Sequence, residues 1–136
     1  MLAITTTEKG RNMAEKIYTN AAPEPIGPYS QGIRAGEVCY LSGQVPIDPA
    51  TGELVAGGIA EQTEQACKNV KALVEAAGGT MDNIVKAGCF LLTMDDFAAF
   101  NEVYARYFTG EPARFCVAVG ALPKGALVEI ETTAVI

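Results

Sequence analysis

The chain has 136 residues and a mass of 14.3 kDa, enough for one domain around one core, and 16 acidic against 10 basic residues leave a net charge of -6. That charge repels a phosphate backbone, so nucleic acid is not expected as a partner, and no apolar run reaches the roughly 18 residues that a membrane span needs. His is absent, which removes the commonest zinc ligand, the usual general base and every Ser-His or Cys-His pair, so no metal is expected.

Residues 1–15 carry Thr and charged side chains without sustained periodicity and read as a flexible tail ahead of a single domain over 16–136. With no basic region followed by an apolar signal core at the N-terminus, the protein is expected in the cytoplasm. Pro23, Pro25, Gly27 and Pro28 punctuate a loop that leads directly into Tyr29. The compositions of 30–33 and 37–45, with Ala35-Gly36 between them, predict a β-hairpin. Residues 46–58 have loop chemistry, after which Ile59, Ala66, Val70, Leu73, Val74 and Ala77 recur at helical spacing up to a stop at Gly78-Gly79.

The segment 84–94 is apolar on both alternating faces, Asp95 is a candidate N-cap for a second helix running to Phe108, and further strands are expected over 115–119 and 127–135. The order β-β-α-β-α-β-β predicts an α+β fold, a sheet with two helices on one face. In the last strand Val128, Ile130, Thr132 and Ala134 point one way, and Leu127, Glu129, Glu131 and Thr133 point the other. The face without helices needs a cover. Another copy of the chain is the simplest one, giving a cyclic oligomer with sites at subunit borders. Cys39, Cys67, Cys89 and Cys116 form no Cys-x-x-Cys pair and are expected as reduced, buried thiols.

Several residues carry candidate chemistry, each with a plainer alternative. Arg114 opens a strand with Cys116 on its own face; its planar fork suits a carboxylate, or makes an ordinary strand-end salt bridge. Glu129 and Glu131 share one face of the last strand, and either faces the Arg114 cleft if the two strands pair. In the absence of His a carboxylate is the most economical base; the alternative is a solvated strand face. Tyr29 either closes over a small ligand or is a core aromatic. Ser42-Gly43 offers backbone donors and a hydroxyl to a ligand, or forms a bulge, and the Asn101 amide either donates to a ligand or is solvated. Residues 48–53 lack EF-hand spacing, and Gly57-Gly58 and Gly78-Gly79 match neither phosphate nor dinucleotide motifs, so neither calcium nor a nucleotide cofactor is expected.

Taken together, Gly27-Pro28-Tyr29-Ser30-Gln31-Gly32, Ser42-Gly43-Gln44-Val45-Pro46, Asn69-Val70-Lys71-Ala72-Leu73, Pro112-Ala113-Arg114, and Leu122-Pro123-Lys124 with Val128-Glu129-Ile130-Glu131 resemble the RidA (YjgF) family, in that family's order, from about Lys16 to the C-terminus. The resemblance implies a chorismate-mutase-like α+β fold, assembled as a homotrimer with clefts between neighbouring subunits. It also implies hydrolysis of reactive 2-imino and 2-enamino acids, such as 2-iminobutanoate or 2-iminopropanoate, to 2-oxo acids and ammonia, with neither a covalent intermediate nor a cofactor. By the same likeness Arg114 binds the substrate carboxylate, Glu129 positions or activates water, and Tyr29 lines the cleft from the adjacent subunit. Ser42, Gly43, Asn101 and Cys116 complete the pocket.

Three positions depart from the family pattern. The chain is several residues shorter between Asn101 and Arg114, and Glu111 stands where an aromatic commonly precedes the proline. Phe115 replaces a frequent Ser, and strand alternation puts it opposite Arg114, where packing in the core is expected. The rival readings are a non-enzymatic trimer that carries or senses a small carboxylate metabolite, a protein-binding chaperone or translation regulator, and RNA cleavage, which the acidic composition disfavours.

Overall fold

A computed structural model describes residues 2–5 and 14–136. The elements are β1 (Leu2–Thr5), β2 (Ala14–Ile17), β3 (Gly32–Ala35), β4 (Val38–Gln44), β5 (Ile47–Asp48), β6 (Glu53–Leu54), α1 (Ile59–Ala76), β7 (Ile84–Leu91), α2 (Phe97–Tyr107), β8 (Ala113–Ala118) and β9 (Val128–Val135). Seven strands form one mixed sheet in the order β1-β2-β3-β4-β9-β7-β8, while β5 and β6 pair separately. All neighbours in the large sheet are antiparallel except β7 and β8, which run parallel and are joined through α2, as a parallel pair requires a crossover. This is a mixed α+β fold with two helices.

Both helices cover one face. Val128, Ile130 and Ala134 of β9, Cys39 and Leu41 of β4, and Ala87, Cys89 and Leu91 of β7 are buried against Ala66, Cys67, Val70, Leu73 and Val74 of α1 and Phe100 of α2. Within each strand these positions are an even number of residues apart, so the alternate residues face away from the helices. Tyr40, Phe115 and Val117 are exposed there, at 57%, 41% and 43%. Phe115 is therefore opposite Arg114, as alternation required, but outside the core. Its ring instead lies edge-on to Phe90, centroids 5.5 Å apart, and over Gly88, where a Cβ would come within 2.6 Å of it.

The hairpin of β3 and β4 and the stop of α1 at Gly78-Gly79 follow the sequence expectations; Gly78 N donates to Glu75 O and Gly79 N to Val74 O, both at 3.0 Å. Three local expectations do not hold. The segment 46–58 contains the short β5–β6 hairpin, closed by Gly52 N donating to Asp48 O at 2.8 Å. Asp95 is not the cap of the second helix: Thr93 Oγ1 accepts from Asp95 N, capping a one-turn 3-10 helix, and α2 begins at Phe97. Within 1–15, read as a tail, Leu2–Thr5 pairs with Ala14–Ile17 at the sheet edge; the rest of that stretch, Met1 and residues 6–13, lies outside the described residues.

Buried amides tie the loops to this frame. Gln31, 2% exposed, donates from Nε2 to the carbonyls of Thr19, Ala22 and Pro23, and its Oε1 accepts from Thr19 N at 2.7 Å. Asn69 of α1 donates to Val45 O and Ile47 O at 3.1 and 2.9 Å. Truncating Gln31 strands several backbone groups away from water, so Gln31→Ala is expected to cost on the order of 2–4 kcal/mol and to lower the thermal midpoint by roughly 10 °C. A calorimetric scan within 2 °C of the native protein would show that this loop holds itself.

Candidate active site

Arg114 sits on β8, the edge strand, with its side chain on the helix side of the sheet. The register fixes this: Arg114 is opposite Ala87 and Cys116 opposite Cys89, both buried under the helices. Helix α2 presents Phe97, Phe100, Asn101 and Tyr104 on one stripe at i, i+3, i+4 and i+7, and Phe108 caps its C-terminus. The guanidinium lies 4.8 Å from the Tyr104 ring centroid, 5.7 Å from Phe97 and 5.9 Å from Phe100, while Nη1 donates to Asn101 Oδ1 at 2.7 Å. Stacking and one hydrogen bond fix its plane, and the remaining donors of the fork stay available. Among the described residues no carboxylate lies within salt-bridge distance of it, so no strand-end ion pair occupies it there.

This cation borders a cavity of about 530 Å³ lined by Asn101, Tyr104, Phe108, Thr109, Glu111 and Pro112 among others. Burial pushes the Tyr104 hydroxyl well up, partly opposed by the neighbouring Arg114 charge, so it stays protonated. Cys116 is half-buried beside this arginine; burial raises its thiol too, and Arg114 only partly offsets that. Its partner across the ladder, Cys89, is pushed up to about 12 by burial, so at neutral pH both remain thiols rather than nucleophilic thiolates.

Glu129 does not share this cavity. Strands β8 and β9 are not neighbours, because β7 lies between them, and Glu129 follows the buried Val128 and precedes the buried Ile130, so it faces away from the helices. The expected cleft shared with Arg114 is thus absent within one chain. On its own side Glu129 borders a second cavity of about 350 Å³ with Gly43, Phe90, Leu122, Pro123 and Glu131. It has neither a hydrogen bond nor an ion pair among the described residues, and burial first, then the like charge of Glu131, raises its carboxyl above the usual range.

A bulge in β4 shapes that second cavity. Leu41 is opposite Thr132 but Gln44 is opposite Ile130, so one extra residue is fitted in at Ser42-Gly43. A Cβ on Gly43 would lie 2.2 Å from Glu129 Oε2, so any larger residue here would push the carboxylate aside. The Ser42 hydroxyl donates to Ser30 O at 2.6 Å and its N–H to Gln31 O at 2.8 Å, tethering the proline-rich loop. Tyr29, 49% exposed, borders a small cleft with Gly43 and Gln44, and its hydroxyl accepts from Ile26 N at 3.3 Å.

The predicted residues therefore fall into two groups, Arg114, Asn101 and Cys116 on the helix side, and Glu129, Gly43 and Tyr29 around the open face. Asn101 accepts from the arginine through its amide oxygen, which leaves its Nδ2 donors for a ligand. Sequence reasoning missed Tyr104 and Phe97 as supports of Arg114, although their spacing with Asn101 carried the signal.

The fold and these groups define a small two-layer α+β protein with an arginine-floored pocket at its sheet edge and a desolvated carboxylate on the opposite face. Residues 19–136 match the family model described as Endoribonuclease L-PSP. A mouse protein named 2-iminobutanoate/2-iminopropanoate deaminase is 48% identical over 120 residues, 88% of this chain and 89% of the relative. Among solved structures, RidA from an Antarctic Psychrobacter is 44% identical with a TM-score of 0.86, and E. coli TdcF with bound serine is 42% identical with a TM-score of 0.85; each covers 89% of this chain and 98% of its own. The chain belongs to this family, the Rid (RidA/YjgF) family.

Proposed function

We propose that this protein is a 2-imino acid deaminase, acting as a homotrimer in which Arg114 of one subunit and Glu129 of the next close on one substrate. The observation that carries the reading is the aromatic-held, unpaired Arg114 facing a cavity of small-molecule size. The activity named for the mouse relative supports it, as does the bound serine of the E. coli relative, which carries the same α-carboxylate. The exposed apolar residues Phe115, Val117 and Tyr40 support a neighbouring subunit as the cover of the open face.

In the reaction Arg114 holds the substrate carboxylate, which leaves C2 of the protonated imine oriented and electrophilic. Glu129 takes a proton from water as its oxygen adds to C2, giving a tetrahedral carbinolamine. The same proton is then delivered to nitrogen, the C–N bond breaks with its electron pair on nitrogen, and the departing ammonia takes up the hydroxyl proton by way of the Glu129 carboxylate as the 2-oxo acid forms. Water and the protonated imine become 2-oxo acid and ammonium. No covalent nucleophile is used, in keeping with the protonated state of Cys116.

Release of 2-oxobutanoate from freshly generated 2-iminobutanoate is expected to run faster with the protein than in buffer; equal rates would overturn the deaminase reading. A solution mass three times that of the chain is expected, whereas a monomer with full activity would remove the shared cleft. Because a methyl at position 43 displaces the Glu129 carboxylate, Gly43→Ala is expected to lower kcat by about tenfold or more with little change in thermal midpoint. Steady-state kinetics check this, and an unchanged kcat would mean that the carboxylate position does not matter.

A further inference from the structure

Glu111 borders the same cavity as Arg114, yet the two are not within salt-bridge distance, so one pocket holds a cation and an anion apart. The residue is held in a conformation that side chains disfavour, with φ at 51°, by its N–H donating to Phe108 O at 3.1 Å and by Pro112 immediately after it. Such backbone strain at a non-glycine residue persists only where its surroundings impose it, and it fixes the direction of the side chain. The flank adds negative charge: Thr109, also in the lining, donates from Oγ1 to Asp82 Oδ1 at 3.5 Å, and Asp82 makes no ion pair among the described residues. Among the described residues, Arg114 is the one Lys or Arg that lines the cavity.

About 530 Å³ is more room than a four-carbon acid fills, so a longer side chain can extend from the carboxylate at Arg114 toward the Glu111 end. We propose that Glu111 is a specificity-determining residue that selects 2-imino acids whose side chain ends in a cation, such as a guanidinium or an ammonium. This deepens the deaminase reading and rests on it for turnover. A cationic end gains Coulomb attraction from Glu111 and Asp82, a neutral end of equal size does not, and a second carboxylate is repelled.

The test pairs L-arginine with L-citrulline, nearly isosteric and differing in the charge at the side-chain end, by titration calorimetry on the native protein and Glu111→Gln. Native protein is expected to bind L-arginine about fivefold more tightly, the scale of a partly exposed charge pair, with the ratio falling to about one in Glu111→Gln. Each ratio compares two ligands on one protein, so a folding defect does not mimic the result. The 2-imino acids freshly made from both by an amino-acid oxidase are then compared in kcat/KM, where the same preference is expected.

Equal binding by native protein, an arginine preference that survives in Glu111→Gln, or no binding of either amino acid overturns the proposal. An arginine preference in binding without any imine turnover would leave the specificity site standing and remove the deaminase reading; turnover of 2-iminobutanoate with a flat ratio would do the reverse.

Discussion

Arg114→Ala is expected to reduce kcat/KM for 2-iminobutanoate by roughly 10²–10³-fold, to a rate close to that of buffer. A charge-assisted, two-pronged contact is lost, together with the orientation it gives C2. The fold should survive, since the side chain lies at an edge strand and gives up mainly its contacts with Tyr104 and Asn101. Arg114→Lys should recover little, because an ammonium has no planar fork to stack on Tyr104 and still reach Asn101. Initial rates of 2-oxo acid release, corrected for buffer, decide the matter, and an Arg114→Ala enzyme with native kcat/KM would place the carboxylate elsewhere.

Glu129→Gln is expected to lower kcat by roughly 10²–10³-fold while keeping amino-acid binding, since the amide fills the same space but takes no proton. Two further effects follow from the raised carboxyl of Glu129. Activity needs the carboxylate, so kcat/KM should fall on acidification at a pH above the ordinary glutamate range. Glu131→Gln should move that limb downward, because it removes the like charge while the burial stays. Stability runs the other way. Folding favours the protonated acid, so the stability it lends is present below the unfolded pKa and is lost as pH rises through the folded one. Glu129→Gln should therefore melt higher than native protein at pH 7, by about 1–2 °C, and show less of this advantage at pH 4.

The two variants also test the shared cleft directly. If Arg114 and Glu129 of one site come from different subunits, unfolding and refolding an equal mixture of Arg114→Ala and Glu129→Gln should regenerate roughly a quarter of the sites, because each subunit border has independent even odds of an intact arginine and an intact glutamate. Two inactive proteins would then make an active one. Activity no higher than the sum of the parts would sink the arrangement.

The α+β architecture was legible because helical and strand periods are unmistakable in α1 and β9. Pairing partners were not. A shared cleft within one chain required β8 and β9 to pair, which sequence alone left open, and only the intervening β7 shows that Arg114 and Glu129 cannot meet on one sheet face. Alternation placed Phe115 opposite Arg114 correctly, but period alone does not say which face a helix covers. Ser42 illustrates a related limit, since a hydroxyl in a candidate pocket motif is equally suited to tethering a loop, and Ser30 O claims it.

The bulge at Ser42-Gly43 also acts as a phase shift in the chain. In an unbroken strand two residues of opposite parity cannot both face the core, yet Leu41 and Gln44 are both buried, 2% and 5% exposed. Losing one of these two residues would leave Leu41 and Gln44 two apart, restoring the simple alternation with both still facing the core, at the expense of the bulge that brings the backbone against Glu129. A one-codon gap between Leu41 and Gln44 should therefore harm the fold less than one elsewhere in this strand, where every residue beyond the gap would turn to the wrong side, and its damage should fall on the setting of the Glu129 carboxylate.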